Sequence, residues 1–196
     1  FTGAYNANEG NKHTRSKNYK SAILYYEEAN RLDPLNASYL FELSKLYYYY
    51  AKNSKNDEEH SKWINKAISF GEAGISYNRY YPPQLKTLIL IYNSEGMPIE
   101  ALEYTRKLVQ YQRCKTVNYE SLAKAYIDAA KYYREENNIE MAKKLLAECI
   151  SIKDDPSFIK SNITIANRLA GGKNDHKDSI LYKYISESKE LLEELN

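Results

Sequence analysis

The sequence predicts an all-α protein built as a stack of antiparallel helix pairs, and three observations carry that prediction. Turn formers are scarce, with 7 glycines and 5 prolines in 196 residues. That is about half the usual ~12% share and too few for the closely spaced turns of a β-sandwich. A short phrase of one apolar residue, two polar ones and alanine recurs. It stands at Tyr19-Lys20-Ser21-Ala22, Ile64-Asn65-Lys66-Ala67 and Ile139-Glu140-Met141-Ala142, with Ile99-Glu100-Ala101 as a variant shifted by one. Large residues then follow the first three alanines in fixed register: Leu40, Leu43 and Tyr47; Leu85, Leu88 and Tyr92; Tyr119, Leu122 and Tyr126.

Each alanine phrase follows a turn-like stretch: Ser16-Lys17-Asn18, Asn53 to Asp57, Glu95-Gly96-Met97-Pro98 and Glu136-Asn137-Asn138. The phrase therefore reads as the entry to the second helix of a hairpin, where a small residue lets two helices approach. Four hairpins result, over about residues 4–36, 37–81, 82–115 and 116–156, in one domain. The first helix is the weakest, with Asn6 and Glu9 at positions usually apolar. Terminal repeats are commonly atypical. The alanines are 45, 34 and 41 residues apart. The longer spacings exceed 34 by 11 and 7 residues, about three and two whole helical turns. Whole turns lengthen a hairpin arm without rotating its apolar face away from the core. Hairpins two and four should therefore have longer arms than hairpin three, with residues 48–62 and 127–137 largely helical. Residues 157–196 predict two capping helices. One face carries Phe158, Ile159, Ile163, Ala166 and Leu169; Gly171-Gly172 breaks the chain; a second face carries Ile180, Leu181, Tyr184, Ile185, Leu191, Leu192 and Leu195.

On these residues the chain resembles the tetratricopeptide family, whose repeat period is 34. Gly10, Ala22, Tyr26, Ala29 and Pro34 match the family positions in repeat one. Leu40, Leu43, Ser44, Tyr47 and Ala67 match in repeat two, where Gly71 and Gly74 replace larger packing residues. Repeat three offers Leu85, Leu88, Tyr92, Gly96 and Ala101, and repeat four Leu122, Ala123, Tyr126, Ala142, Leu146 and Cys149. The resemblance covers about residues 4–156 and implies a right-handed superhelical stack whose first helices line a concave face. It also implies a non-catalytic scaffold for protein or peptide partners. Groove positions carried across are Asn8, Asn11 and Arg15; Phe41, Glu42, Lys45, Tyr48 and Tyr49; Lys86 and Asn93; and Glu120, Lys124 and Asp128. The candidate groove set is Asn11, Arg15, Phe41, Glu42, Lys45, Tyr48, Tyr49, Lys86, Asn93 and Lys124, with Tyr48 and Tyr49, which flank a core position, open equally to packing and to stacking on a ligand. Some family members grip acidic tails with a carboxylate clamp. Here only Asn11 fits it; Ala7, Glu42, Pro83 and Thr87 occupy the other clamp positions, and Glu42 would repel a terminal carboxylate.

Composition narrows the function classes further. A net charge of +2, with 28 Lys+Arg against 26 Asp+Glu, lacks the basic excess of a nucleic-acid binder. The longest apolar run, Leu88-Ile89-Leu90-Ile91-Tyr92, is far short of the ~20 residues of a membrane span. His13, His60 and His176 stand far apart among polar residues and read as solvated. No metal-binding spacing or phosphate loop is recognisable, so neither a catalytic residue, a metal nor a cofactor is expected. Cys114 and Cys149 fall six repeat positions apart, about 9 Å along parallel helices. Bridged Cα atoms need less than ~7 Å, so both read as free thiols. Asn36-Ala-Ser38 and Asn162-Ile-Thr164 fit the glycosylation pattern, but Asn36 equally suits a helix N-cap.

The 21 tyrosines serve packing and binding alike, since a ring can bury while its hydroxyl stays wet. Tyr47, Tyr92 and Tyr126 are assigned to packing. A second resemblance rests on the phrase running from Ala29-Asn-Arg-Leu32 through Asp33-Pro34-Leu35-Asn36 to Tyr39, followed by long tyrosine-rich hairpins. It is similar to the carboxy-terminal repeats of bacterial O-antigen ligase or polymerase-type membrane proteins. That similarity implies an accessory domain with a glycan partner, tethered to a membrane part. The start at Phe1, without an initiator methionine, fits an excised piece. The expected location is cytoplasmic, or that of such a soluble tail.

Overall fold

In the computed structural model, residues 2–78, 81–113, 116–159 and 180–196 are described. They are helical, with no strand among them. The chain forms two compact units, Phe1–Glu95 and Gly96–Asn196. The boundary falls inside the expected third repeat.

The first unit contains α1 (Gly3–Arg15), α2 (Tyr19–Leu32), α3 (Ala37–Ala51), α4 (Asp57–Tyr77) and α5 (Pro82–Ser94). α1 and α2 form one antiparallel hairpin and α3 and α4 the next, with α2 packed on α3 and α5 on both α3 and α4. Asparagine starts three of these helices: the side chains of Asn18, Asn36 and Asn56 accept from the backbone N–H of Ser21, Ser38 and Glu59. Each satisfies a donor that the first helical turn would leave orphaned. Asn36 is thus a cap, as its position suggested.

The second unit contains α6 (Pro98–Tyr111), α7 (Thr116–Glu135), α8 (Ile139–Ser151), a 3-10 turn at Ile152–Asp154 and α9 (Ile180–Glu194). Residues 156–159 are helical, and Asp155 caps them by accepting from the N–H groups of Ser157 and Phe158. α9 packs against α7 and α8. It buries Leu181, Ile185 and Ser188 and pairs Glu187 with Lys131 at 2.7 Å. This is the expected terminal cap, except that Ile180 is exposed rather than part of the apolar face. Cys149 is a free, buried thiol, and burial pushes its pKa up to about 11. The rest of the first expected capping helix, the Gly171-Gly172 break, Asn162, His176 and Cys114 lie outside the described residues.

The insertions have the expected effect. Hairpin two has arms of 15 and 21 residues, and hairpin four has arms of 20 and 13. α5 and α6 have only 13 and 14. The intervening loops are residues 52–56 and 136–138.

The register also fixes features that no single residue reveals. Lys17, Gly96 and Asn137 each adopt positive φ (59°, 69° and 58°), five residues before the alanines Ala22, Ala101 and Ala142. Each of these three turns therefore uses one left-handed residue, and glycine fills that place in only one of them. The repeat tyrosines behave alike. Tyr47, Tyr92 and Tyr126 are buried, and each hydroxyl meets a charged residue 20 positions earlier on a second helix. Tyr47 donates to Glu27, Tyr92 donates to Glu72 at 2.9 Å, and Arg106 donates to Tyr126 at 3.3 Å. A hydrogen bond to a charged group contributes roughly 1.5–3 kcal/mol, so the motif ties each hairpin to its neighbour within its unit. The assignment of these rings to packing holds, and their hydroxyls add a polar tie.

Gly71 and Gly74 are explained by close approach. A Cβ on Gly71 would lie 2.5 Å from Leu88 Cδ2 and 3.0 Å from Ser44 Oγ; one on Gly74 would lie 2.9 Å from Gln84 Oε1. These glycines let α5 settle onto α4.

Candidate functional site

The best-organised part of the predicted groove lies on α3. Phe41 is half-buried and meets the ring of Tyr81 edge-on at 5.5 Å between centroids. Lys45 Nζ sits 4.9 Å from the centre of the Phe41 ring and pairs with Glu42 at 2.7 Å. One turn of helix separates Phe41 from Lys45, and Glu42 stands three residues before Lys45, so both contacts arise from ordinary helical spacing. The pair is only partly exposed (28% and 17% of the side chains), so solvent screens it less than a free surface pair. The result is an apolar ring with one edge and one face already held, beside a cation and an anion that neutralise each other. Such a surface can take an apolar side chain and offer hydrogen bonds in both senses.

The other groove candidates divide. Lys86 and Asn93 are exposed on α5 of the same unit, flanking the half-exposed Leu90. Asn11 and Arg15 are exposed on α1. Lys124 belongs to the second unit, where it pairs with Asp128 one turn later.

Tyr48 is a correction. It is only 2% exposed and belongs to the same core cluster as Leu43, Tyr47 and Ile91. That cluster joins residues of α2, α3, α4 and α5, so the ring one step beyond Tyr47 is buried as well, and Lys52 Nζ lies 5.0 Å from its centroid. Tyr48 has no free face on which to stack a ligand. Tyr49 is 38% exposed, but it stacks on Tyr19 at 5.7 Å, at the start of α2.

His60 is a second correction. Its ring bridges two elements: Nε2 lies 2.9 Å from Glu95 Oε2, and Nδ1 lies 3.1 Å from the Ala51 carbonyl. The bond to Glu95, then that to Ala51, raises its pKa above 6.5. Nothing in the local sequence signalled this, because Glu95 is 35 residues away. Sequence reasoning also missed the contacts of Tyr81, which precedes α5, and of Tyr19, which opens the alanine phrase at the start of α2.

Among the described residues, no group of three or more His, Cys, Asp or Glu side chains is placed to hold a metal ion. No described helix is long and apolar enough to cross a membrane.

The fold and this surface define a helical-hairpin repeat protein. No family model matches the chain, and no curated protein matches it. Solved structures do resemble it in fold. YrrB, a TPR protein described as having an unusual peptide-binding site, shares 16% identity over 81% of this chain and 90% of its own, with a TM-score of 0.48. MamA shares 17% over 94% of this chain and 95% of its own, with a TM-score of 0.49. TTC0263, a thermophilic TPR protein of Thermus thermophilus, shares 13% over 86% and 99%, with a TM-score of 0.37. At these identities and TM-scores the likeness assigns no residue a role.

Proposed function

We propose that the chain is a non-catalytic helical-repeat scaffold that binds a peptide segment of a protein partner along α3 and α5 of its first unit. The observation that supports this reading is the Phe41, Glu42, Lys45 and Tyr81 constellation. Its side chains hold one another in place before any ligand arrives, so little rotamer entropy is lost on binding. Leu90, Lys86 and Asn93 on α5 extend the surface with apolar and polar contacts. Phe41 is the anchor, because partly desolvated aromatic side chains carry most of the energy of such interfaces while rim charges carry little.

Selection of random twelve-residue peptides displayed on phage tests the proposal. Enriched peptides should bind the chain saturably, and Phe41→Ala should weaken them at least tenfold, about 1.4 kcal/mol, with the circular dichroism spectrum unchanged. Absence of enrichment, or equal binding to the Phe41→Ala variant, would refute it.

A further inference from the structure

A second surface lies on the other helices of the first two hairpins. Ile23 and Leu24 of α2 form one wall and Trp63 and Lys66 of α4 the other, with Tyr47 and Tyr50 of α3 between them, around a groove of about 340 Å³. The aromatic side is built. Trp63 stacks on Tyr47 at 5.7 Å and meets Tyr50 edge-on at 5.3 Å. Leu24 stands 62% exposed on the opposite wall, an unusual place for a large aliphatic side chain facing aromatic rings.

The aromatic side is particular to hairpin two. Tyr50 and Trp63 both fall between Tyr47 and Ala67, the stretch in which hairpin two exceeds the 34-residue spacing. In repeat three, which keeps the 34-residue spacing, the same steps from Tyr92 and Ala101 reach Glu95 and Met97, neither of them aromatic.

Its charge has a definite sign. Lys66 Nζ lies 4.9 Å from the Tyr47 ring centre and 5.4 Å from that of Trp63, and Lys62 Nζ lies 4.8 Å from Trp63. Lys20 is exposed on the α2 side. The one carboxylate lining the groove, Glu27, is already engaged by the Tyr47 hydroxyl and lies 3.9 Å from Lys66. Neither Lys20 nor Lys62 makes an ion pair with another of the described residues. The apolar floor is thus lined by Lys20 and Lys66, the latter also donating to the Tyr47 hydroxyl at 3.1 Å, and by one anion that already has its partners, with Lys62 beside them against Trp63.

We infer that this groove binds an acidic segment of a partner protein through one large apolar side chain. The apolar residue enters between Leu24 and Trp63, and carboxylates on the residues flanking it meet Lys20, Lys62 and Lys66. The volume accommodates one large side chain rather than a helix, which limits the recognised element to a short motif. A basic segment would meet like charge on both walls. This surface is separate from the Phe41 surface and does not depend on it.

Trp63 is the sole tryptophan of the sequence, so its fluorescence reports this groove. The probe is a tryptophan-free peptide, acetyl-Glu-Asp-Glu-Leu-Asp-Glu-amide, titrated into the full chain. A saturable change in Trp63 emission is expected. Replacement of the peptide's leucine by alanine, or of its acids by lysines, should weaken binding at least tenfold. Leu24→Glu and Lys20→Glu alter exposed side chains and leave the core intact. Each should also weaken binding at least tenfold, while Val117→Ser in the second unit should have no effect. No saturable response up to millimolar peptide would overturn the inference. So would equal binding of the lysine peptide, or an undiminished response in Leu24→Glu. A response to neutral oligosaccharides but not to the acidic peptide would likewise overturn it.

Discussion

Gly71→Ala places two physical effects in direct opposition. Gly71 lies in the interior of α4, where alanine is favoured over glycine by about 1 kcal/mol on helix propensity. On propensity alone the substitution stabilises. The added methyl, however, would stand 2.5 Å from Leu88 Cδ2 and 3.0 Å from Leu88 Cγ. Carbon atoms rest at roughly 3.5–4.0 Å, so the closer contact overlaps by about 1 Å. Leu88 is fully buried and cannot swing into solvent. On the other side, 3.0 Å away, is Ser44 Oγ, which is buried and donates to the Ala67 carbonyl at 2.7 Å. Overpacking of this kind costs typically about 1–3 kcal/mol, and displacing a buried hydroxyl from its acceptor adds roughly 1 kcal/mol. The balance is a net loss of about 2 kcal/mol. Thermal unfolding followed by circular dichroism should show the midpoint falling by roughly 4 °C or more. A midpoint that rises would mean that α4 and α5 do not approach as closely as described.

Three further outcomes follow from named contacts. Tyr48→Ala should destabilise the first unit by roughly 3–5 kcal/mol as a large-to-small core change, whereas Tyr49→Ala should cost no more than about 1 kcal/mol for its stacking on Tyr19; urea titration separates them, and similar losses would contradict the burial difference. His60 has its folded pKa raised by Glu95, so its contribution to stability is fully present below about pH 6.5 and lost as pH rises through the folded value. The urea midpoint should therefore fall between about pH 6 and pH 8 by more in the native chain than in His60→Gln, and identical pH profiles would refute the bridge. Lys17→Gly should stabilise by about 0.5–1 kcal/mol, because a left-handed backbone penalises a residue with a Cβ; a loss of stability would show that the Lys17 side chain contributes more than its backbone strain costs.

The repeat register was legible because helix pairing is local and periodic. Alanine, the large residues and tyrosine recur where neighbouring helices touch, and whole-turn insertions keep them in phase. The positions of Ala22, Leu43 and Tyr126 in the core follow directly from that spacing. The candidate site was less legible. The contacts among Phe41, Glu42 and Lys45 were legible because they lie within one helix. Tyr48 was misassigned because its burial depends on the side chains that neighbouring helices bring against α3, which the spacing along α3 does not encode. His60 and Glu95 were missed for the same reason, since their pairing joins residues 35 apart in the chain. Gly71 and Gly74 look like defects in the repeat until Leu88 and Gln84 are seen to occupy the space a side chain would need.

Photo-crosslinking with a selected peptide tests the proposed partner surface most directly. A benzophenone group replaces the peptide's apolar anchor, and the adducts are located by mass spectrometry. The account predicts adducts on α3 around Phe41 and Lys45 and on α5 between Lys86 and Asn93, and their loss in Phe41→Ala. Adducts confined to any other part of the chain would contradict it.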